Sequence, residues 1–348
     1  VGHLSCSWEW TRTWLEHYGD LIPHQFAIAL NPGPVGIALI TEGVHQRLGP
    51  VPIRTLHLGT AGEPDSDTVR IQYNRLLVPE SLRVTFISAI LDTVQSRERR
   101  WDEFRLDGFT AEDIETAFPN ADADCVNEVV SHYVDLNAIR ASGKTLLDFI
   151  GGDRAKKIRR HIRYLQEEHG PLQVQWAESL DEAREIFAEM RLLHQARWQS
   201  IGEPGAFASS RFNSFHEDIV ERLFPRGHVG LVRVRAGDIT LGCDYTLIEH
   251  NRMLGYQWGL GTLTDKRVSV GIITAAAVMQ AALERGIDEY DHLAGDALHK
   301  RTLATTSRDL AWARIPSGTR IQIIYKLAEA RRRTRALRLF RPPNSAQN

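Results

Sequence analysis

The segment Gly271–Leu283 is the most apolar stretch of the chain, and it restricts the possible folds more than any other feature. It is rich in alanine and much shorter than the roughly 20 residues that a membrane-spanning helix needs. A helical pattern extends around it over Ser269–Arg285, between strand patterns at Met253–Leu260 and Glu289–Leu293. A helix that is apolar on most sides must be covered by protein. These residues therefore predict a buried helix in an α/β protein, with no stable insertion into a membrane.

The order of the other elements indicates two similar halves. With 348 residues the chain is too long for one ordinary core. A glycine-containing stretch at 142–154 separates the halves and places the domains at 1–145 and 146–320, followed by a basic helical tail at 321–348. In the first half we predict a helix at Ser7–Tyr18, a hairpin of Phe26–Leu30 with Val35–Ile40, a strand at Arg54–Leu58, a helix at Glu80–Val94 and a strand at Trp101–Leu106. In the second half we predict helices at Lys156–Glu168, from Ser179 and at Phe212–Phe224, with strands at Leu172–Trp176, Val229–Arg235, Thr240–Ile248 and Arg252–Leu260.

Composition and cysteine spacing favour an intracellular setting. The hydrophobic fraction is 43% and the charged fraction 25%, as in soluble globular proteins. The three cysteines, Cys6, Cys125 and Cys243, are far apart and odd in number, so we expect neither disulfides nor a metal site. No basic segment followed by an apolar one opens the chain, which favours a cytoplasmic location.

The charge is unevenly divided. Residues 1–140 hold 11 Lys and Arg against 20 Asp and Glu, whereas residues 141–348 hold 31 against 24. The basic balance of the second half indicates that an anionic ligand would bind there. The Arg-rich tail has two interpretations: a terminal helix packed on one side, or a segment that binds phosphates or an anionic surface.

A candidate anion site precedes the Ala-rich helix. Lys266 and Arg267 are followed by Ser269, Val270 and Gly271 at the helix entry. Unpaired backbone N–H groups and the helix dipole attract an anion such as a pyrophosphate there, and the two cations would add charge-assisted contacts.

Ionisable residues cluster where the next strand ends. Asp291, His292 and Asp296 are candidates to accept a proton, and Lys300 is a candidate to stabilise developing negative charge. The carboxyl ends of strands in open α/β sheets are common ligand sites. A salt bridge between Asp296 and Lys300, and a surface histidine, are the alternative structural interpretations.

Several motifs together resemble a known family. They are Ser5–Trp14, Lys156–Arg160, Arg191–Trp198 and, most specifically, Tyr290–Lys300, in that order along nearly the whole chain. The chain resembles the CelD-type (cellulose-biosynthesis) acyltransferases of the GNAT superfamily, which are related to the FemABX aminoacyl transferases. Val270 stands where the family has proline, and His292 where it has an aromatic residue.

The resemblance implies an α/β (α+β) fold of two tandem GNAT-like domains, each a mixed, mostly antiparallel sheet flanked by helices. The first domain would be non-catalytic. The second would bind an acyl-CoA or acyl-carrier-protein thioester between two strands, with the pyrophosphate on the Lys266–Gly271 loop. Asp291, Asp296 and Lys300 match family positions, and the acceptor would be an amine or hydroxyl of a small molecule, sugar or peptide, in polysaccharide or secondary-metabolite biosynthesis.

Six further residues are candidates for the acceptor cleft. His194 and Trp198 follow Met190 at four-residue steps on the apolar edge of a helix, where core packing is the alternative, and Arg197 matches the family motif. Tyr245, Tyr256 and Trp258 lie on central strands whose alternate side chains would face the cleft, and one of them could protonate the leaving thiolate. Two other functions stay open: a FemABX-like transferase that uses aminoacyl-tRNA, and a non-catalytic partner protein.

Overall fold

The computed structural model describes residues 3–30, 32–43, 47–48, 51–96, 101–117, 126–263, 265 and 268–327. The helices are α1 (Trp8–Tyr18), α2 (Arg83–Gln95), α3 (Ala111–Ala117), α4 (Leu136–Ala141), α5 (Leu146–Ile150), α6 (Gly152–His169), α7 (Leu180–Ser200), α8 (Ser210–Leu223), α9 (Val270–Glu284) and α10 (Leu298–Leu303), and 319–327 is also helical. The strands are β1 (His24–Leu30), β2 (Pro34–Glu42), β3 (Arg47–Leu48), β4 (Val51–Pro52), β5 (Thr55–Leu58), β6 (Glu103–Thr110), β7 (Val126–Asp135), β8 (Leu172–Trp176), β9 (Val229–Ala236), β10 (Ile239–Glu249), β11 (Arg252–Leu260), β12 (Glu289–Ala294) and β13 (Thr306–Pro316).

Eleven of these strands form one continuous sheet in the order β1-β2-β5-β6-β13-β7-β12-β11-β10-β9-β8. Neighbours are antiparallel except for two parallel pairs, β5 with β6 and β11 with β12. A helix, α2 or α9, connects the two strands of each parallel pair. On its other side, the first strand of each pair has an antiparallel neighbour in the sheet, β2 or β10. The two halves therefore repeat the same local arrangement along one sheet.

The predicted hairpin, the helices and most strands are confirmed, because their signals are local. Ser7 caps α1 by accepting from the Trp10 N–H, and Ser179 caps α7 by accepting from the Glu182 N–H, as their positions before apolar stripes predict. The turn residue Asn31, Cys125 and the tail 328–348 lie outside the described residues. Eight elements were not predicted: β3, β4, β7, β13, α3, α4, α5 and α10.

β13 has the largest effect on the architecture. It comes from the second half of the chain but lies between β6 and β7, with Leu310 opposite both Thr110 and Val129. β7 in turn pairs with β12. The sheet therefore continues across the expected boundary at 145/146, and the division into 1–145, 146–320 and 321–348 stays a prediction.

Helices cover both faces of the sheet. One core cluster joins α1, α7 and α8 to the sheet, and a second joins α4, α5, α6 and α9 to it. As predicted, α9 is buried on most sides, through Ile273, Ala276, Ala277, Val278, Met279, Ala282 and Leu283. Cys243 is a buried free thiol and Cys6 a half-buried one.

Helix α1 packs through two of its three tryptophans. Trp10 and Trp14 are buried, whereas Trp8 is 60% exposed. The Trp14 indole N–H donates to the buried Glu63 carboxylate. Burial raises the pKa of Glu63 to about 7.

The raised pKa of Glu63 makes stability depend on pH. Because the folded state holds the proton more tightly than the unfolded chain, the contribution of Glu63 is full below about pH 4.5 and is lost as pH rises to about 7. Between pH 5 and pH 8 we expect the unfolding free energy of the unsubstituted protein to fall by up to about 3 kcal/mol more than that of Glu63→Gln. Urea unfolding at both pH values measures this, with the exposed Glu112→Gln as the control. If the unfolding free energy of Glu63→Gln changed between pH 5 and pH 8 as much as that of the unsubstituted protein, this prediction would be contradicted.

Candidate active site

The parallel strands β11 and β12 separate soon after they begin. Their register covers Arg252 to Leu254 opposite Glu289 to Asp291, and both strands continue beyond it. On its other side β11 carries a bulge, since Tyr245 pairs with Gln257 but Thr246 pairs with Gly255. The extra residue, Tyr256, bends β11 and increases its twist. The result is a gap between the second halves of two adjacent parallel strands.

The bulge also sends two aromatic residues to opposite faces of the sheet. Tyr256 packs on the cluster with α1, α7 and α8, whereas Trp258, two residues later, packs on the cluster with α9. In a regular strand residues two apart share a face. Tyr245 and Tyr256 therefore lie on one face of the sheet and Trp258 on the other, and their expected place in an acceptor cleft stays a prediction.

Helix α9 begins beside this gap. Ser269 occupies its N-cap position without a side-chain cap, so the first N–H groups keep their capacity to bind an acceptor. A Cβ atom at Gly271 would meet the flexible Leu260 side chain at 3.0 Å. Val270 is the first helical residue, and Lys266 and Arg267 lie outside the described residues.

Asp291, at the point where the strands separate, is fully buried and richly hydrogen-bonded. Its Oδ1 accepts from the Ser131 hydroxyl at 2.7 Å and from the Leu293 N–H at 2.7 Å. Its Oδ2 accepts from the Tyr73 hydroxyl and lies 3.9 Å from Arg308 Nε. These contacts join three distant parts of the chain around one carboxylate.

The backbone after Asp291 is strained. Leu293 has a φ of 61°, a left-handed conformation that a branched residue rarely adopts. The bond from its N–H to Asp291 and the shift in β12–β7 register between Asp291 and Ala294 accompany this conformation. Strain of this kind persists only where surrounding contacts hold it, and it is common at functional sites.

Lys300 caps the end of the same strand. Its Nζ donates to the carbonyls of Leu293 at 3.0 Å and Ala294 at 2.8 Å. A Cβ atom at Gly295, whose φ is 124°, would lie 3.3 Å from that Nζ, so glycine leaves room for the ammonium. Burial lowers the pKa of Lys300 to about 8. The ammonium therefore loses its proton more easily than an exposed lysine.

Asp296 and His292 occupy different environments. Asp296 is about half exposed and accepts from His132 Nε2 at 3.0 Å and from Arg301 at 3.2 Å. The His132 contact lowers the pKa of Asp296. His292 is 7% exposed, immediately after the last residue paired with β11, with its ring 5.3 Å from that of Tyr290. The salt bridge considered between Asp296 and Lys300 is replaced by these partners.

A buried histidine that the sequence analysis missed links the two tyrosines. His216 of α8 lies 3.1 Å from the hydroxyls of both Tyr245 and Tyr256, and burial lowers its pKa to about 3. Tyr256 donates its proton to the Val69 carbonyl at 2.6 Å, since a carbonyl can only accept. His216 Nε2 must then donate to Tyr256, and Nδ1 must accept from Tyr245. His216 follows Phe212 by four residues on an apolar stripe, which is the signal that could have indicated it.

A buried carboxyl on the other face was also missed. Asp244 is fully buried, and burial raises its pKa well above the usual value. Tyr290 donates to Asp244 Oδ2 at 2.8 Å. A Cβ atom at Gly255 would lie 2.5 Å from the Tyr290 hydroxyl, so glycine is required for the phenol to cross β11. A lone acidic residue within the apolar run Leu241–Ile248 was the available signal.

The end of α7 flanks the splayed part of β11. A Cβ atom at Gly259 would lie 2.2 Å from the Met190 carbonyl, so α7 packs directly on the strand there. One turn later His194 is buried, contacts the Gln257 side chain and stacks edge-on with Phe207, and burial lowers its pKa. Arg197 is exposed and Trp198 is 40% exposed beside it.

Comparisons with known proteins agree with this geometry. Residues 152–301 match the family described as "Acetyltransferase (GNAT) domain". FemX is 11% identical with a TM-score of 0.53, over 89% of this chain and 92% of that chain. L-PGS from Bacillus licheniformis is 12% identical with a TM-score of 0.53, over 94% and 98%. A conserved protein of unknown function from Bacteroides thetaiotaomicron is 10% identical with a TM-score of 0.50, over 88% and 89%.

These likenesses confirm the predicted fold class: a mixed, mostly antiparallel sheet flanked by helices, with a GNAT-type second half. No functionally curated protein matches the chain in sequence. Within the described residues, no helix combines the length and apolarity needed to span a bilayer. Nor do three His, Cys, Asp or Glu side chains converge there as a metal site would require.

The contacts of Asp291 predict a large structural effect of its removal. We expect Asp291→Ala to lower the unfolding free energy by about 3–5 kcal/mol, because two buried hydroxyls lose their acceptor and Arg308 keeps only one of its two carboxylates, that of Glu289. Chemical denaturation measures the loss, and the exposed Asp309→Ala on β13 serves as the control. An Asp291→Ala protein as stable as that control would show that the carboxylate does not hold the strands together.

Proposed function

We propose that the chain is an N- or O-acyltransferase of the CelD type. It moves an acyl group from an acyl-CoA or acyl-carrier-protein thioester to an amine or hydroxyl of a small-molecule, sugar or peptide acceptor, in the cytoplasm. The observation that carries the proposal is the gap between β11 and β12 beside the start of α9, within the residues that match the GNAT domain. The separated strands suit the pantetheine arm of a thioester donor, and the start of α9 suits its phosphates.

The donor would extend through this gap with its phosphates at the α9 entry. Strands that have separated leave N–H and C=O groups of β11 available to the amides of a pantetheine arm. The free N–H groups after Ser269, at Val270 and Gly271, suit a pyrophosphate, and Lys266 and Arg267 would add two positive charges. A donor held in this way needs no metal ion.

The acceptor would approach from the face covered by α1, α7 and α8. His194 and Gln257 contact each other beside the splayed part of β11, and exposed Arg197 and Trp198 lie at the outer end of α7. Tyr245 and Tyr256 are held by His216 at the bulge. Trp258 lies on the opposite face, where its proposed contact is with the donor.

The transfer itself would be a direct attack on the thioester. The acceptor nitrogen or oxygen bonds to the carbonyl carbon, the C–S bond breaks, and the sulfur leaves as a thiolate that takes up a proton. We assign proton acceptance to His292 or Asp296, because Asp291 is fully buried and its carboxylate holds the strand end. Lys300, with its lowered pKa, would stabilise the oxyanion or return a proton to the thiolate.

Removal of the Lys300 amine tests the catalytic assignment. We expect Lys300→Ala to lower acyl-transfer turnover tenfold or more while the protein still unfolds cooperatively, since the hydrogen bonds of the side chain to described residues are those to two strand-end carbonyls. The exposed Lys156→Ala on α6 is the matched control. Turnover of Lys300→Ala equal to that of this control would remove Lys300 from the mechanism.

A negative charge added at the α9 entry tests the donor site. We expect acyl-CoA to raise the Tm of the unsubstituted protein. In Gly271→Glu the apparent Kd derived from that Tm shift should rise at least tenfold, because a carboxylate would repel the pyrophosphate. Ser210→Glu places the same charge in the exposed first turn of α8 and should leave the shift unchanged. Stabilisation by tRNA but not by any acyl-CoA would favour the FemABX-like alternative, and stabilisation by neither would favour a non-catalytic partner.

A further inference from the structure

A cavity in the first half of the chain lies apart from the proposed donor and acceptor sites. It has a volume of about 180 Å³ and lies between the β1–β2 hairpin, the start of α1 and residues 74–77. Its walls are mainly apolar and include Phe26, Ile37, Leu39, Leu58 and Leu76.

The early end of β5 creates this space. β5 stops at Leu58, opposite Ile40, while β2 extends back to Pro34 without β5 beside it. The later segment returns only as far as a single bridge between Leu77 and Ile37. The sheet therefore has a partly empty position next to β2.

Polar groups around the cavity bond to one another. Asn74 Nδ2 donates to the Leu58 carbonyl at 2.7 Å, and the Arg75 N–H donates to Cys6 Sγ at 3.2 Å. Burial raises the pKa of the Cys6 thiol to about 11, so it stays neutral. The interior consequently offers mostly apolar surface to a ligand.

The entrance has both apolar and positive character. Phe26 is 40% exposed, Ile37 39% and Trp8 60%, and all three line the cavity. Among the described residues of the lining, Arg75 is the charged one; its side chain is exposed and forms no ion pair with any of them. The nearby carboxylate of Glu249 is already engaged by His3 and Arg252.

We propose that this cavity binds a straight-chain carboxylate, with its chain in the cavity and its carboxylate on Arg75. An apolar cavity of about 150 Å³ can hold benzene, so this one has room for about six carbons. A single guanidinium matches a carboxylate in a bidentate manner, whereas a doubly charged phosphate would call for more than one cation. The ligand is an amphipathic monoanion of about eight carbons, with about six carbons in the cavity and the remainder extending to Arg75 at the entrance. The site is independent of the proposed acyl transfer.

Isothermal titration of the full chain with octanoate, octanol and octylamine tests the proposal. We expect saturable binding of octanoate, at least threefold weaker binding of octanol, and at least tenfold weaker binding of octylamine, whose charge Arg75 repels. Arg75→Gln should bring octanoate down to the level of octanol and leave octanol unchanged. The exposed Arg12→Gln on α1, next to the lining residue Thr11, should change neither.

A second variant tests the cavity rather than the charge. Ile37→Trp enlarges a side chain at the entrance, and since Ile37 is 39% exposed the fold should tolerate it. We expect it to weaken octanoate and octanol together by tenfold or more, with an unchanged Tm. Absence of saturable octanoate binding, equal binding of octanoate and octylamine, or full binding by Ile37→Trp would overturn the proposal.

Discussion

The buried carboxylate of Asp291 holds together parts of the chain that are remote in sequence. A charge removed from water is costly unless hydrogen bonds replace its hydration. Here the replacements come from Tyr73, Ser131 and the Leu293 backbone, and the Asp291–Tyr73 pair is 218 residues apart. β12, β7 and the segment before α2 must therefore occupy fixed relative positions. The strained turn at Leu293 and the carbonyls that bind Lys300 follow directly from this arrangement.

Beside this fixed point, the Tyr256 bulge determines what the two faces of β11 can do. On one face, the pair of hydroxyls held by His216 connects Tyr245 to the Val69 carbonyl. On the other face, Tyr290 and Asp244 meet across Gly255. Because both groups are buried and internally hydrogen-bonded, they fix the course of β11 close to the point where it leaves β12. The gap is thus a property of the packed fold and does not need a ligand to open it.

The two halves use the same local topology for different results. In the second half β11 extends nine residues and separates from its parallel neighbour. In the first half the equivalent strand, β5, has four residues and ends before any separation along its parallel partner β6. The chain then crosses to Glu63 and Tyr73, which contact α1 and Asp291. In the first half a short strand and a long connection therefore stand where the second half has a long strand. The connection contacts α1 and Asp291, and a separate cavity remains beside β2.

Local signals in the sequence were sufficient for most elements. The serine caps of α1 and α7, the apolar stripe of α8, the hairpin and the Ala-rich α9 all depend on residues a few positions apart. The cluster Asp291–Lys300 was also visible, because its ionisable residues lie within ten positions of one another along the chain. The sequence did not indicate the roles of Tyr73, Ser131 and Glu63, since they lie in segments without a periodic pattern. Their roles come only from contacts with distant partners.

The sequence by itself thus determined most of the helices and strands and the position of the ionisable cluster Asp291–Lys300 in the second half. Only the tertiary structure decided that β13 returns between β6 and β7, that a bulge turns Tyr256 and Trp258 to opposite faces, and that Asp291 is saturated while Lys300 has a lowered pKa. The reason is physical. Periodicity and capping arise between near neighbours, whereas strand order, burial and pKa depend on groups brought together from positions up to hundreds of residues apart.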